Sequence, residues 1–467
     1  METFGVVVIG AGPGGYPAAI RAAQLGASVA LVEKEELGGA CLNWGCIPTK
    51  TLIASSSLYA QMKSAPAMGL RVEGASFDYA ALAARKDKVV RSLRDGLKQL
   101  MAANKIKVFK GTASFESRNR LVVEAQSSGS SSVEIGAERT IIATGANSSI
   151  PDFLPRHERV IESRSFLGLQ SLPASILILG GGVIGCEFAC LLAQLDVRVT
   201  VVELLDDILW TLDADVRRVV RQHMEKNLGI RILTGTTLEN IAADSARVRA
   251  AAGQEKLEAE VLLAALGRKP SLEGLKLANA GLCASAKGFI EVDEYGRTEV
   301  ATVYAVGDVT GGVQLAHAAT SQGLVAAENA CTRRLRKNEA VVPNCIFTSP
   351  EVATVGLSEE EAQKKGSEIK TGKYMFGALG KALANGHPVG FVKWLADAST
   401  DQLLGAQAVG AHATELIAEA ATALRAELTA AELAHTIHCH PTLSEAWMEA
   451  AHALRDEPIH SAPRKKK

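Results

Sequence analysis

The sequence predicts an α/β protein, because a strand–turn–helix–strand order occurs twice and aromatic residues are few. Aromatic side chains make up 4% of the 467 residues, while alanine and glycine are abundant. This composition suits closely packed layers of helix and sheet better than a sandwich or barrel of aromatic-rich strands. At roughly 100–200 residues per domain, the length predicts about three or four domains.

The first unit of this repeat occupies the N-terminal region of the chain. The pattern predicts a strand over Gly5–Ile9, a glycine-rich turn over Gly10–Gly15, a helix to about Leu25 and a strand over Ser28–Val32. Pro17 falls early in that helix. It is compatible with the helix only where its missing N–H would have had no helical partner.

The second unit repeats the first in the same order. Its elements are a strand over Ile176–Leu179, a turn over Gly180–Gly185, a helix to about Leu195 and a strand over Val197–Val202. Both units end on a glutamate: 23 positions separate Gly10 from Glu33, and the same number separates Gly180 from Glu203. The chain therefore contains an internal repeat of supersecondary structure.

Both turns follow the pattern G-x-G-x-x-G between a strand and a helix. The first glycine permits a tight turn, the second lets backbone approach a pyrophosphate, and the third lets helix pack on strand. The helix N-terminus attracts the anion, and the downstream glutamate is placed to bind a ribose. We interpret the repeat as two Rossmann-like dinucleotide-binding domains rather than two structural turns. Glu203 is followed by Leu204, Leu205 and Asp206, so no Lys or Arg at these positions could bind the 2′-phosphate of NADP. This favours NAD over NADP.

The other half of the chain has weaker patterns. A polar stretch over Gln126–Ser132 predicts a hairpin connection. Strands are expected around Val389–Leu395 and Leu403–Val409, and a helix over about Ala413–Leu428. The segment that begins at His438 breaks this pattern.

Charge and hydropathy exclude several classes of function. With 50 basic and 51 acidic residues, the net charge of −1 argues against binding of nucleic acid or an anionic membrane. No apolar stretch approaches the ~18 residues of a membrane-spanning helix, and the N-terminus lacks the basic region of a signal peptide. A cytoplasmic location is therefore expected. Eight cysteines are too few for a disulfide scaffold, so any bridge is expected to be catalytic.

One motif places two cysteines five positions apart, within Gly38–Lys50. From the residues alone, Cys41 and Cys46 have three interpretations: a strained local disulfide, half of a metal site, or two buried thiols. The metal reading is disfavoured, because no second CxxC or matching histidine pair lies nearby.

With these glycine loops, the motif resembles the flavin-dependent pyridine nucleotide–disulfide oxidoreductases. The resemblance implies a redox-active Cys41–Cys46 disulfide beside FAD, with Cys41 attacked by substrate and Cys46 against the flavin. It also implies an ion pair between Lys50 and Glu187 near the flavin and nicotinamide. The alternatives for these two are solvated helix charges, or for Glu187 a partner of the helix dipole. Ala40 and Trp44 depart from the family pattern without removing a reacting group.

Further motifs extend the resemblance over essentially the whole chain. They are Thr144–Gly145, Ala265–Pro270, Tyr304–Asp308, Leu315–Ala318 and Asn344–Glu351. The resemblance implies a C-terminal α+β dimerisation domain after the two Rossmann-like domains. The implied division is an FAD-binding domain over 1–148 and again over 272–344, an NAD-binding domain over 149–271, and the dimerisation domain over 345–467.

The segment His438–Glu445 resembles the branch of this family that oxidises protein-bound dihydrolipoamide. That branch implies that His440 accepts the substrate proton, that Glu445 orients His440, and that the histidine acts across a homodimer. We favour two alternative interpretations less: a structural role for His440, and a metal site that His440 shares with His438 and Cys439. The implied partner is a lipoyl-bearing E2 or H-protein of a multienzyme complex.

Two other functions remain open at this point: an NAD(P)H-dependent reductase of another low-molecular-weight disulfide, and a flavin-bound redox sensor or scaffold. The catalytic candidates are Cys41, Cys46, His440, Glu445, Lys50 and Glu187, and no metal is expected. The cofactor-binding candidates, for FAD and NAD, are Gly10, Gly12, Gly14, Gly15, Glu33, Lys34, Lys50, Thr144, Gly145, Asp308, Ala316, His317, Ala318, Gly180, Gly182, Ile184, Gly185, Glu187, Glu203 and Gly267. The remaining cysteines are expected to be small apolar residues in helices and strands, namely Cys186, Cys190, Cys283, Cys331 and Cys345.

Overall fold

The computed structural model describes residues 1–125, 132–332 and 334–462. Its strands are β1 (Glu2–Ile9), β2 (Val29–Glu33), β3 (Lys107–Lys110), β4 (Thr112–Ser117), β5 (Arg120–Glu124), β6 (Val133–Ile142), β7 (Ala146–Ser148), β8 (Val160–Glu162), β9 (Ser175–Leu179), β10 (Arg198–Val202), β11 (Arg231–Leu233), β12 (Glu239–Ala243), β13 (Val248–Ala252), β14 (Glu255–Ala259), β15 (Val261–Ala264), β16 (Arg268–Pro270), β17 (Val303–Ala305), β18 (Asn344–Ile346), β19 (Val352–Gly356), β20 (Ile369–Met375), β21 (Gly390–Asp397) and β22 (Leu403–Gly410).

The α-helices of the same residues are α1 (Gly15–Gln24), α2 (Gly39–Trp44), α3 (Cys46–Ser64), α4 (Tyr79–Ala103), α5 (Ser163–Leu167), α6 (Val183–Gln194), α7 (Ala214–Lys226), α8 (Ala316–Cys331), α9 (Glu359–Lys364), α10 (Gly380–Ala384), α11 (Ala413–Arg425), α12 (Ala430–His435) and α13 (Glu445–Leu454). Short 3₁₀ turns cover Ala65–Met68, Leu277–Ala280, Gly307–Thr310 and Phe376–Ala378. Within the described part of the chain, no helix has both the length and the apolar character needed to cross a membrane.

The N-terminal sheet has the order β3-β2-β1-β6-β5-β4, and β17 pairs with β6. Strands β1, β2, β3 and β17 join it in parallel, whereas β4, β5 and β6 form antiparallel pairs. The predicted hairpin connection between β5 and β6 lies, except for Ser132, outside the described residues. The late strand β17 places residues from beyond position 300 in the same sheet as the N-terminus.

The second sheet is entirely parallel, with the order β11-β10-β9-β15-β8. In both sheets the strand before a glycine loop has its next strand on one side and a later strand on the other: β1 lies between β2 and β6, and β9 between β10 and β15. Ligands of open α/β sheets bind at such switch points, at the carboxyl ends of the strands. The topology therefore brings each glycine loop to the expected nucleotide position.

The predicted elements of both repeats are present with small changes in their bounds. The first strand begins at Glu2 rather than Gly5, and the first two helices of the repeats end at Gln24 and Gln194. Helix α1 begins at Gly15, so Pro17 is its third residue. The first four N–H groups of a helix have no partner within it, which explains why proline is accommodated there.

The C-terminal sheet is antiparallel, with the order β18-β19-β22-β21-β20. Two buried tryptophans fix helix α13 upon it: the rings of Trp394 and Trp447 lie 4.7 Å apart, and the Trp394 indole N–H donates to the Trp447 carbonyl oxygen at 3.0 Å. The predicted α/β class, with two Rossmann-like units and a C-terminal α+β domain, is confirmed.

A buried lysine joins the second unit to the C-terminal sheet. The Lys393 ammonium on β21 lies 2.9 Å from Asp213, 3.1 Å from Asp215 and 2.6 Å from Glu359. These three carboxylates are close enough together to hold a metal ion, but the ammonium lies within hydrogen-bond distance of each of them. Gln407 adds a hydrogen bond to Asp213 at 2.5 Å. Asp215 also pairs with Lys373, whereas Lys393 is the cation shared by all three carboxylates, so its removal leaves buried charge uncompensated.

We therefore expect Lys393→Met to lower the free energy of unfolding by about 3–5 kcal/mol, because three carboxylates would lose their common cation. Chemical unfolding of the protein at neutral pH measures this change. The control is Lys370→Met on the neighbouring strand β20, where the lysine is exposed. Equal stability of the two variants would contradict a structural role for the cluster.

Candidate active site

The two glycine loops have the same backbone geometry. Gly10 and Gly180 adopt φ values of +97° and +110°, which disfavour any residue with a side chain. A Cβ on Gly15 would lie 1.8 Å from the Gly10 carbonyl oxygen, and one on Gly185 would lie 1.9 Å from that of Gly180. The first and third glycines are therefore required by the fold itself.

The middle glycines face open space instead. A Cβ on Gly182 would meet nothing within 4 Å, and one on Gly12 would meet only Gly39 Cα, at 3.8 Å. This space lies at the N-termini of α1 and α6, where backbone N–H groups and the helix dipole favour an anion. The residues present therefore fit a dinucleotide pyrophosphate at each loop.

The two glutamates hold their loops by matching hydrogen bonds. Glu33 accepts from the backbone N–H groups of Ala11 and Glu35, both at 2.7 Å. Glu203 accepts from those of Gly181 and Leu205, at 2.6 and 2.8 Å. Burial raises the pKa of Glu33, although these backbone bonds oppose the shift. Each carboxylate oxygen retains a lone pair for a ribose hydroxyl.

Cys41 and Cys46 form a disulfide across the junction of α2 and α3, with their Cα atoms 4.6 Å apart. Of the three interpretations that the sequence left open, the structure supports the local bridge. Gly45 makes it sterically feasible, since a Cβ there would lie 2.9 Å from the Ala40 carbonyl oxygen.

Trp44 connects the disulfide segment to the next unit. The Arg164 guanidinium on α5 lies 3.9 Å from the centre of the Trp44 ring, a cation–π contact, and also pairs with Glu35 at 3.2 Å. Trp44, which departs from the family pattern, thus makes the cation–π contact with Arg164.

Lys50 lies four residues after Cys46 on α3 and pairs with Glu187 of α6 at 2.7 Å. The Glu187 side chain is 6% exposed, and its other oxygen accepts from the Phe347 backbone N–H at 2.9 Å. The Lys50 ammonium also lies 4.6 Å from the centre of the Phe347 ring. The predicted ion pair is therefore present, and Phe347, which sequence reasoning missed, completes it. Its position directly before Thr348-Ser349-Pro350 gave no signal of this role.

His440 and Glu445 also lie together. The His440 Nδ1 and Glu445 Oε1 atoms are 2.8 Å apart, and the Thr442 backbone N–H donates to the other oxygen of Glu445 at 2.7 Å. Burial raises the pKa of Glu445, but the bonds from Thr442 and His440 outweigh it, and the pKa is lowered overall. Glu445 is therefore an anion suited to stabilise an imidazolium.

The His440 ring is 80% exposed on the single chain, and the nearby Ile437 is 96% exposed. Within the described residues, no hydrogen bond or ion pair joins the His440–Glu445 pair to the disulfide. The His440 ring thus faces outward, as the homodimer hypothesis requires, while the Glu445 side chain behind it is only 14% exposed.

Both ring nitrogens of His438 are already engaged. Nε2 lies 2.7 Å from Glu419 on α11, and Nδ1 lies 2.9 Å from the Thr436 carbonyl oxygen. The hydrogen bond to Glu419 raises the pKa of His438. The geometry argues against a metal site shared by His438 and His440.

Two further cofactor-binding candidates are Asp308 and Thr144. Asp308 lies 3.4 Å from the Arg268 guanidinium, and burial raises its pKa. The buried Thr144 hydroxyl has no hydrogen-bond partner among the described residues. Buried polar atoms are normally hydrogen-bonded, so this hydroxyl fits a hydrogen bond to a cofactor.

For the other cofactor-binding candidates, the sequence predicted no specific contact within the protein. Gly145 and Gly267 adopt positive φ with open space around them. His317 Nε2 lies 2.6 Å from the Pro343 carbonyl oxygen, between Ala316 and Ala318 in the first turn of α8. Gly14 packs against α8, Ile184 lies in the first turn of α6, and Lys34 is exposed. Their roles in binding stay predictions.

The expectation for the other cysteines is wrong at Cys283. Cys186 and Cys190 are buried in α6, and burial raises the pKa of Cys190 to about 12. Cys283, in contrast, is exposed and lies outside the helices and strands, with its backbone N–H donating to Glu299. Apolar neighbours in the sequence do not reveal that this segment is a surface loop.

Two family models match the chain. The pyridine nucleotide-disulphide oxidoreductase model matches residues 4–323, and the dimerisation domain of the same family matches residues 342–451. Among curated relatives, the dihydrolipoyl dehydrogenase of Chlamydia muridarum is 42% identical over all of both chains. That of Bacillus subtilis is 40% identical over 95% of this chain and 97% of its own.

Solved structures agree with this similarity. LpdA from Mycobacterium tuberculosis has a TM-score of 0.90 and 27% identity, covering 97% of this chain and all of its own. The HOCl-induced flavoprotein disulfide reductase RclA from Escherichia coli has a TM-score of 0.86 and 29% identity, covering 96% of this chain and 99% of its own.

Gly182 and Gly185 of the second loop give contrasting predictions. Gly182→Ala should leave the thermal unfolding midpoint unchanged but weaken NADH binding by about tenfold or more, because its methyl group would occupy the phosphate space. Gly185→Ala should lower the midpoint as well, since its methyl group would collide with backbone. Calorimetry and NADH titration measure both. Unchanged NADH affinity in Gly182→Ala would exclude this loop as the binding site.

The His438–Glu419 contact predicts a pH-dependent contribution to stability. Because the pKa of His438 is raised on folding, this contribution is complete below its ordinary value of 6.5 and is lost as the pH rises through the folded value. Glu419→Gln should therefore cost about 1–2 kcal/mol at pH 6 and less at pH 9. Thermal unfolding at both pH values measures this. The exposed Glu415→Gln on the same helix is the control, and its effect should not vary with pH.

Proposed function

Because the chain belongs to the pyridine nucleotide-disulphide oxidoreductase family, we propose that it acts as a dihydrolipoyl dehydrogenase, oxidising protein-bound dihydrolipoamide with NAD⁺ as the final acceptor. The cofactors of this enzyme are FAD and NAD. The observation that carries the proposal is the Cys41–Cys46 disulfide beside the two glycine loops, together with an exposed His440 that pairs with Glu445. Bound FAD supplies a two-electron carrier between the disulfide and the nicotinamide.

The first half of the reaction is thiol–disulfide exchange. Dihydrolipoamide has two thiols, and a thiolate is the attacking form. One substrate sulfur attacks Cys41, and Cys46 leaves as a thiolate; the second substrate sulfur then attacks the mixed disulfide and releases Cys41. The substrate loses two electrons and two protons: the protein disulfide gains the two electrons, one proton goes to a histidine, and the other goes to the released Cys41 thiolate. Cys46 would then be the sulfur that passes these electrons to bound FAD.

The proton from the substrate thiol goes to a histidine. His440 of the partner subunit accepts it, and the Glu445 carboxylate stabilises the resulting imidazolium. The exposure of His440 and Ile437 on the single chain supports this assignment, since a subunit interface would cover both. The C-terminal dimerisation domain indicates a homodimer, so a competent site requires two chains.

Lys50 and Glu187 take a supporting role in the same proposal. Glu187 lies in α6 close to the second glycine loop, whereas Lys50 lies on the helix that begins with Cys46. Their ion pair would place a positive charge where electrons leave the disulfide. The preference for NAD over NADP is supported by Glu203, whose carboxylate would repel a 2′-phosphate.

The wider assignments are part of this proposal. We divide the chain into FAD-binding residues 1–148 and 272–344, NAD-binding residues 149–271 and dimerisation residues 345–467; the β17–β6 pairing, which joins residues 303–305 to the N-terminal sheet, supports the two-part FAD-binding domain. We assign the enzyme to the cytoplasm. Its substrate would be carried by a lipoyl-bearing E2 or H-protein.

Steady-state and rapid-mixing assays test the proposal. The protein should reduce NAD⁺ with dihydrolipoamide. In the reverse reaction, the reduction of lipoamide, it should prefer NADH to NADPH. Cys46→Ser should abolish lipoamide turnover while FAD stays bound, and Cys283→Ser should match the native protein. His440→Ala should slow reduction by dihydrolipoamide by about 10²–10⁴-fold, with little change in flavin reduction by NADH.

Three results would contradict parts of this proposal. Equal slowing of both half-reactions in His440→Ala would remove the histidine as the base. A strong preference for NADPH, or for glutathione disulfide over lipoamide, would indicate a reductase of another small disulfide. Full lipoamide turnover by Cys46→Ser would remove the disulfide from the reaction.

A further inference from the structure

The side chain of Asn43 holds the segment between the two cysteines. Asn43 lies on α2, between Cys41 and Cys46, and its Nδ2 donates to the carbonyl oxygens of Leu37 at 2.9 Å and Gly39 at 3.0 Å. Its Oδ1 accepts from Arg94 Nε at 3.1 Å. Both amide hydrogens and the amide oxygen are therefore engaged, which fixes the side chain in one orientation.

Arg94 closes the contact from a distant part of the sequence. It belongs to α4, and besides Asn43 it pairs with Glu36 at 3.3 Å. Glu36 begins the turn whose next residues accept the Asn43 hydrogen bonds. A single guanidinium thus joins the start of this turn to Asn43 in the disulfide segment.

The turn is itself fixed on the first glycine loop. The Gly38 backbone N–H donates to the Ala11 carbonyl oxygen at 2.8 Å. A Cβ on Gly39 would lie 2.5 Å from Gly12 Cα, so the two backbones are in direct contact. A continuous set of contacts therefore runs from the glycine loop through the turn to Asn43.

We propose that Asn43, supported by Arg94, is a positioning residue that keeps Cys41 and Cys46 within bonding reach after their disulfide has been reduced. The inference rests on the proposed redox role of this cysteine pair. Once the disulfide opens, the thiols are restrained only by the short backbone segment between them and by the non-covalent contacts that hold this segment. Their effective concentration towards one another then determines how readily the disulfide re-forms.

The consequence is a change in the reduction potential of the pair. In this equilibrium, a dithiol probe transfers two electrons and two protons to the protein disulfide. The products are the cyclic disulfide of the probe and two cysteine thiols. Loss of the Asn43 contacts lowers the effective concentration of the thiols and favours the reduced protein. We expect Asn43→Ala to raise the equilibrium constant for reduction about tenfold, which corresponds to about 30 mV. Arg94→Met should shift it in the same direction by less, because the hydrogen bonds to Leu37 and Gly39 remain.

The experiment equilibrates the holoenzyme in reduced and oxidised dithiothreitol mixtures and traps the thiols by alkylation. Mass spectrometry of the tryptic peptide Glu35–Lys50, which contains both cysteines, gives the reduced fraction. The controls are Asn104→Ala, which removes one exposed side-chain hydrogen bond to Leu100, and Arg91→Met on the exposed face of α4. Both should match the native potential.

An unchanged potential in Asn43→Ala, with flavin content intact, would overturn the proposal. If Asn43→Ala loses its flavin or fails to fold, Arg94→Met decides: an upward shift supports the proposal, and a native potential overturns it. The measurement does not depend on lipoamide turnover. A protein that shows the shift but does not oxidise dihydrolipoamide would exclude the proposed substrate and retain the positioning role.

Discussion

The buried carboxylate of Glu187 is the constraint around which the redox centre is organised. A carboxylate with 6% of its side chain exposed needs a charge or hydrogen-bond partner for each oxygen, and Lys50 and the Phe347 backbone supply them. The three residues come from α3, α6 and the segment after β18. Satisfying one anion therefore fixes the helix that begins at Cys46 against the helix of the second loop and the start of the C-terminal region.

The two glycine loops solve one physical problem twice. In each, the first and third glycines are required by backbone packing, while the middle glycine leaves space for an anion. The glutamate at the end of the following strand then bonds back to the loop, so Glu33 and Glu203 stabilise the sites that they are proposed to complete. This double role explains why the repeat extends beyond the glycines to the acidic residue and its spacing.

Features set by neighbouring residues were predictable, and features that depend on distant contacts were not. The strands, the glycine turns and the position of Glu33 follow from periodicity and spacing within about 25 residues. The disulfide and the His440–Glu445 pair came from a resemblance, because spacing alone left alternatives open. The contacts of Asn43 with Arg94 and of Lys393 with Asp213 join residues 51 and 180 positions apart. No local pattern reports such contacts, and none revealed that Cys283 lies in an exposed loop.

The late strand β17 has a consequence for synthesis of the chain. It pairs with β6, and the helix after it, α8, approaches α1 so closely that a Cβ on Gly323 would lie 2.1 Å from the Gly14 carbonyl oxygen. The ribosome therefore exposes most of the N-terminal sheet long before the strand and helix that complete it. The parallel sheet of the second unit has all its strands by Ala264 and is the part able to fold first during translation. The first nucleotide site is therefore the later of the two to be completed, although its glycine loop is synthesised first.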